Sequence, residues 1–273
     1  MNAAQVHALI AGGVDDPRRL ENWARAPQTL QTLGVDPTEM DLSALRGFAG
    51  LALKVRHNGL RDPLPLTFRL LRIAGIEIEL FADYALARAR AAAPLARADL
   101  ARARDLRDFI QCWHQPDNAA HAMLWSLVQH ELALLELTQI DSDTLEALHL
   151  PAAHPTPCCR LRVRGAVRLL EITHDPEAIA RVLRASNPEL DSIASHQRAL
   201  CYWRAPRTDA VRLVELDEFG FAAVKAAENG WSVSRLSSAI GMSPRVPEGV
   251  RDSLRQLRQA GMLSFSREPR DDR

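Results

Sequence analysis

The hydrophobic period of this chain changes once, and that change constrains the fold more than any other feature. From about Met40 to Leu148, apolar residues recur every three or four positions, the spacing that places them on one face of a helix. From Cys159 the period falls to two. Cys159-Arg160-Leu161-Arg162-Val163-Arg164 alternates apolar and charged, as a half-buried strand does. One class of element cannot satisfy both periods. The reading is therefore α+β: an N-terminal all-helical domain, then a small antiparallel sheet with a winged-helix domain. Between them, Asp141 to Pro157 breaks the pattern with Pro151, Pro155 and Pro157, which predicts domains over 1–150 and 158–265.

Within the helical half, Leu42, Leu45, Phe48, Leu51 and Val55 mark one face of a helix, with Asp41 or Ser43 as its cap. Pro63 and Pro65 predict the start of a helix through Leu66–Ile73, and Gly75 its end. Ile76 to Ala92 is a third helix, with Ile76, Leu80, Phe81, Tyr84 and Leu86 inward and Pro94 as its stop. Leu100, Leu106, Phe109, Ile110 and Trp113 mark a fourth, and 122–137 a fifth. Before Met40, Gln5–Ala11 and Leu20–Leu33 read as short helices.

In the second half, Val167–Ile172 reads as a strand and 175–195 as an irregular or helical excursion. Ala199–Arg204 and Val211–Leu216 form a hairpin around Pro206 and Asp209. Three helices close the chain. Asp217 and Ser232 cap the first two, Asn229-Gly230 stops the first, and the last runs from about Glu248 to Ala260 with Gly261 behind it.

Charge excludes some functions. Lys and Arg total 34, and so do Asp and Glu, which argues against a dedicated nucleic-acid or membrane-surface binder. Lys54 and Lys225 are the two lysines, so Arg supplies the rest; a GC-rich coding bias explains this as well as any preference for bidentate contacts. No signal-peptide pattern opens the sequence, and no apolar run of about 18 residues would cross a membrane. Four cysteines without a Cys-x-x-Cys spacing make neither a disulfide framework nor a zinc site. The expectation is a cytoplasmic protein with no cofactor or metal of its own.

Catalytic motifs are missing too: no Gly-x-Ser-x-Gly, phosphate loop or dinucleotide fingerprint occurs. His121, His130 and Glu131 do not share a helix face at i, i+4 spacing, so they make a poor metal site. The last helix carries Arg251, Arg255 and Arg258, with Arg245 just ahead of it. That row suits phosphate contacts in a DNA-binding winged helix. It suits equally an acidic peptide lying along the sheet edge beside the helix, or a plain solvated face. The segment from Val55 to Phe68 sets Arg56, His57, Asn58 and Arg61 beside two prolines; it is either a capped helix junction or a docking surface for another protein.

That segment carries a resemblance. Arg56-His57-Asn58, followed by Leu60, Leu64, Thr67-Phe68, Leu70-Leu71, Gly75, Phe81 and Tyr84, resembles the N-terminal helical domain of the HvfC-type family. The helix with His130-Glu131-Leu132-Ala133, the hairpin, Leu216-Asp217-Glu218-Phe219 and Leu257–Leu263 are similar to the rest of that family, so the likeness spans about residues 40 to 265. Val55 stands where the family has Tyr, His57 where it has Asn, and Arg69 where it has Pro.

The resemblance implies a non-catalytic subunit that binds a TIM-barrel multinuclear iron oxidase, with the iron held by that partner. Together the pair modifies cysteines of a ribosomally made precursor peptide, by β-carbon excision on the way to 3-thiaglutamate or by oxazolone-thioamide formation as in methanobactin. The winged-helix domain is then the peptide recognition element. Its expected leader site is the strand Val211, Arg212, Leu213, Val214 and Glu215 with Arg251, Leu254, Arg255 and Arg258 of the last helix. The expected partner interface is Arg56, His57, Asn58, Arg61 and Thr67. A winged-helix transcriptional regulator is the alternative.

Overall fold

A computed structural model describes residues 3–16, 18–91, 98–141, 144–145, 159–240 and 248–267. Pro94, Arg245 and most of the proline-rich break at 142–158 lie outside the described residues, as does the side chain of Arg56. The protein is mixed α+β, with helices first and small antiparallel sheets after them. Two compact units are present: Met1–Val128 with Ala180–Leu190, and Gln129–Ile179 with Asp191–Arg273.

The helical unit contains α1 (Ala3–Asp15), α2 (Arg18–Arg25), α3 (Leu42–Arg56), α4 (Pro65–Ile73), α5 (Glu77–Arg90), α6 (Asp99–Trp113) and the first half of α7 (Ala119–Thr138). Local chemistry sets the ends. Asp41 accepts the Ala44 N–H at 3.0 Å and caps α3. Pro65 occupies the first turn of α4, where its missing N–H has no partner to lose. Gly75 turns the chain at φ 71°, a left-handed conformation that ends α4 without a Cβ penalty. Leu9, Trp23, Leu30, Val35 and Leu45 form one cluster of the core. Aromatic rings form a second line of contact. Phe68 meets Phe81 at 5.7 Å, Phe81 stacks on His57 at 5.4 Å, and His57 meets Tyr84 edge-on at 5.1 Å. Each fully buried aliphatic or aromatic side chain here contributes roughly 1.5–3 kcal/mol.

The apolar face of α3 is only partly covered. Leu45 is buried, but Phe48, Leu51 and Val55 are 55%, 43% and 69% exposed. Their i, i+3, i+7 spacing is real, yet the helices that touch α3, α1 and α5 among them, leave these three side chains uncovered. The result is an apolar stripe that faces solvent.

The second unit contains β1 (Cys159–Val163), β2 (Ala166–His174), β3 (Ser195–Arg204), β4 (Val211–Glu215) and β5 (Leu263–Arg267). It also holds α9 (Glu218–Glu228), α10 (Val233–Ala239) and α11 (Glu248–Gln259); α8 (Pro176–Arg184) follows β2. The strands form two antiparallel sheets, β1–β5 and β2–β3–β4. β1 is half-buried, with Cys159 and Leu161 inward and Arg160 and Arg162 outward. β3 is covered on both faces, which is why Leu200-Cys201-Tyr202-Trp203 is an unbroken apolar run. Cys201 and Trp203 enter a core with Ala223, Leu236, Leu254 and Phe265. Leu200 and Tyr202 face the other way, onto Ala133 and Leu137 of α7. That second contact explains why the compact unit starts inside α7, at Gln129, ahead of the proline-rich break that predicts the division. Gly165, at φ 94°, forms the β1–β2 turn; a Cβ there would lie 2.2 Å from the Arg204 carbonyl oxygen.

Two of the expected caps are made in this unit. Asp217 accepts the Gly220 N–H at 2.6 Å, and Ser232 accepts the Arg235 N–H at 3.2 Å. β5 has no counterpart in the sequence reading, which stops at Gly261.

Candidate functional site

The leader site expected from sequence centres on β4. It pairs with β3 from Arg204↔Val211 to Leu200↔Glu215 and is an edge of its sheet. The direction of its backbone groups follows from one bond. Leu216 donates its N–H to the Ala199 carbonyl at 2.9 Å, so these residues form a hydrogen-bonded pair. Such pairs alternate along an antiparallel ladder. Val214 and Arg212 therefore point their backbone groups at β3, and Val211, Leu213 and Glu215 point theirs away from it. β4 contains no proline, so those three outward residues offer both donor and acceptor groups.

The side chains of β4 are anchored. Val211 and Leu213 pack on the α7-facing cluster, and Val214 on the opposite core. The Arg212 guanidinium lies 5.7 Å from the Trp203 ring centroid, within cation–π range. Glu215 is held by Arg198 at 3.5 Å, and Arg198 also binds Asp175 at 3.0 Å. The strand is therefore held on both faces while one backbone edge points outward.

The α11 residues divide. Arg251 and Arg255 are exposed and Arg258 is half-buried, and their i, i+4, i+7 spacing sets them along one helix face. Asp252 pairs with Arg255 at 2.6 Å. Leu254 is 3% exposed and belongs to the core that also receives Val214. Leu254 and Leu257 thus fill the interior beneath α11, and of the expected site residues on this helix only the three Arg reach the surface.

The partner-interface residues divide as well. His57 and Thr67 are buried within the helical unit, His57 between Phe81 and Tyr84. Neither presents its side chain to another protein; both build the α3–α4 junction. Asn58 and Arg61 are exposed. The Phe48–Leu51–Val55 stripe on α3 is the apolar surface that the reading of this region missed, because its spacing is that of a core face.

A polar pair lies between the sheet and α7. His130 Nδ1 and Tyr202 Oη are 2.8 Å apart. Burial pushes the imidazole down to about 4 and the phenol well up. Both groups are therefore neutral at pH 7 and share one hydrogen bond. Arg204, 4% exposed, closes the same region. It donates to the Leu137, Thr138 and Ile140 carbonyls at 2.9, 3.2 and 2.8 Å, and to Asp209 at 3.1 Å. It thereby caps the C-terminal end of α7 and ties the hairpin loop to it. The Cys201 thiol is pushed up to about 12 by burial, so it is a poor nucleophile.

Among the described residues, no group of three or more His, Cys, Asp or Glu side chains is placed to hold a metal. No described helix is long and apolar enough to cross a membrane. Compared with known proteins, the sequence matches no family model and no curated protein.

Proposed function

We propose that this chain is a non-catalytic accessory subunit that binds the leader of a ribosomally made precursor peptide and presents its cysteine to a TIM-barrel multinuclear iron oxidase. The observation that carries the reading is the outward backbone edge of Val211, Leu213 and Glu215 on a strand anchored from both faces. An extended peptide adds to such an edge through main-chain hydrogen bonds, which are insensitive to its sequence. We read β1 to β4 with α9 to α11 as a winged-helix, recognition-element domain, because strands, a hairpin and three helices follow in that order. Arg251, Arg255 and Arg258 would draw acidic leader residues with salt-dependent strength. Holding the leader raises the local concentration of the distant cysteine at the iron, with no reactive group needed here. The exposed stripe on α3, with Asn58 and Arg61, is the surface we assign to the oxidase. Both routes of cysteine chemistry, β-carbon excision and oxazolone-thioamide formation, are compatible with this division of labour.

Reconstitution tests it. The chain alone should bind the precursor peptide without changing its mass, and modification should need the iron oxidase as well. Turnover by the lone chain, or no binding of the precursor, would overturn the proposal.

One observation favours a second reading, a winged-helix transcriptional regulator: the Arg row on α11. The full chain would then bind duplex DNA with an affinity that falls steeply with salt. Weak binding insensitive to salt would exclude it.

A further inference from the structure

The helical unit contains a cavity of about 480 Å³ between α2, α3, α5 and α6. All of its lining residues fall between Leu20 and Trp113, so it belongs to that unit alone. Its size is within the range of small-molecule sites. Space exists because Ala24, Ala49, Gly50, Ala82 and Ala87 stand where larger side chains would meet. Leu42, Leu86, Phe109 and Trp113 supply an apolar lining.

The polar groups of the cavity are sorted by charge. Its two carboxylates are already held. Asp83 accepts from Arg46 at 3.0 Å on one oxygen and from the Trp113 indole N–H at 3.1 Å on the other. Glu21 accepts from Arg25 at 2.8 Å and from Arg90. The guanidinium groups are less committed. Arg46 and Arg90 line the cavity with side chains 59% exposed. A guanidinium carries five N–H donors, and each of these has one nitrogen on a carboxylate.

We propose that this cavity binds an apolar chain ending in a carboxylate, with the chain along the alanine-lined slot and the head group on Arg46 and Arg90. The bidentate geometry of a guanidinium fits a carboxylate. Asp83 has both oxygens engaged, so a cationic head group would find only Glu21 Oε2. This site is independent of the peptide edge on β4.

Cys112 lines the cavity and is exposed, so it reports occupancy. The test uses the full chain and dodecanoate. Dodecanoate should bind saturably and slow alkylation of Cys112, followed by peptide mapping, with Cys112→Ser abolishing the signal. Ala87→Leu fills the slot from a half-buried helical position and should weaken binding at least ten-fold. Arg90→Gln removes charge at the mouth and should weaken dodecanoate several-fold while leaving dodecanol unchanged. Three results overturn the assignment: no saturable binding, unaltered affinity in Ala87→Leu, or dodecanol binding as tightly as dodecanoate.

Discussion

The His130–Tyr202 pair makes stability depend on pH in a calculable way. The folded imidazole titrates at about 4, against an ordinary value of 6.5. As pH falls, the unfolded chain therefore takes up the proton first, and stability is lost through the window from about 6.5 down to about 4. Going from pH 7 to pH 5, the unfolded histidine becomes almost fully protonated and the folded one hardly at all, a linkage loss of about 2 kcal/mol. His121 and His174 are also pushed down by burial and act in the same direction. The perturbation that isolates His130 is His130→Gln, whose amide can still hydrogen-bond the Tyr202 hydroxyl and cannot titrate. Hydrogen exchange of the β3 amides, corrected for intrinsic rate at each pH, reads the stability of the unit that contains the pair. The wild type should lose about 2 kcal/mol more than His130→Gln between the two pH values. Equal losses would mean that His130 is charged or solvated in the fold, and the reasoning fails.

Other expectations follow from single contacts. Arg204→Leu should destabilise by about 1–3 kcal/mol in urea unfolding, because it leaves the carbonyls at the end of α7 without their donor. Leu51→Glu on the exposed stripe should change stability by less than about 0.5 kcal/mol, as an ordinary surface substitution does. The same variant should lose affinity for the iron oxidase in a pull-down of purified proteins, if α3 is the docking face.

Much of the fold was readable because local chemistry and periodicity agree. Asp41, Asp217 and Ser232 cap the helices they precede, and the hairpin register from Arg204 to Val211 matches the expected loop. What periodicity does not reveal is the partner of an apolar face. Phe48, Leu51 and Val55 repeat like core residues, but no described neighbour covers them. The β3 run Leu200–Trp203 hides the reverse case, a strand covered on both faces by elements far away in sequence. β5 was overlooked although Leu263-Ser264-Phe265-Ser266 alternates, because the chain end offers too few residues to establish a period. The site was half legible. Strand β4 emerged from its alternation and Leu254 from its helical spacing, whereas the burial of His57 and Thr67 depends on contacts that no spacing encodes.

Pairing of a guest strand along β4 can be tested by one affinity measurement. Leu213 points its N–H away from β3, so Leu213→Pro deletes a donor on the outward edge and no ladder bond to β3. Val211→Pro does the same at the strand's first residue. With hairpin protection in hydrogen exchange retained, both variants should bind the precursor leader at least ten-fold more weakly than the wild type while still recruiting the oxidase. Wild-type leader affinity in either variant, with its hairpin intact, would contradict strand pairing at this edge.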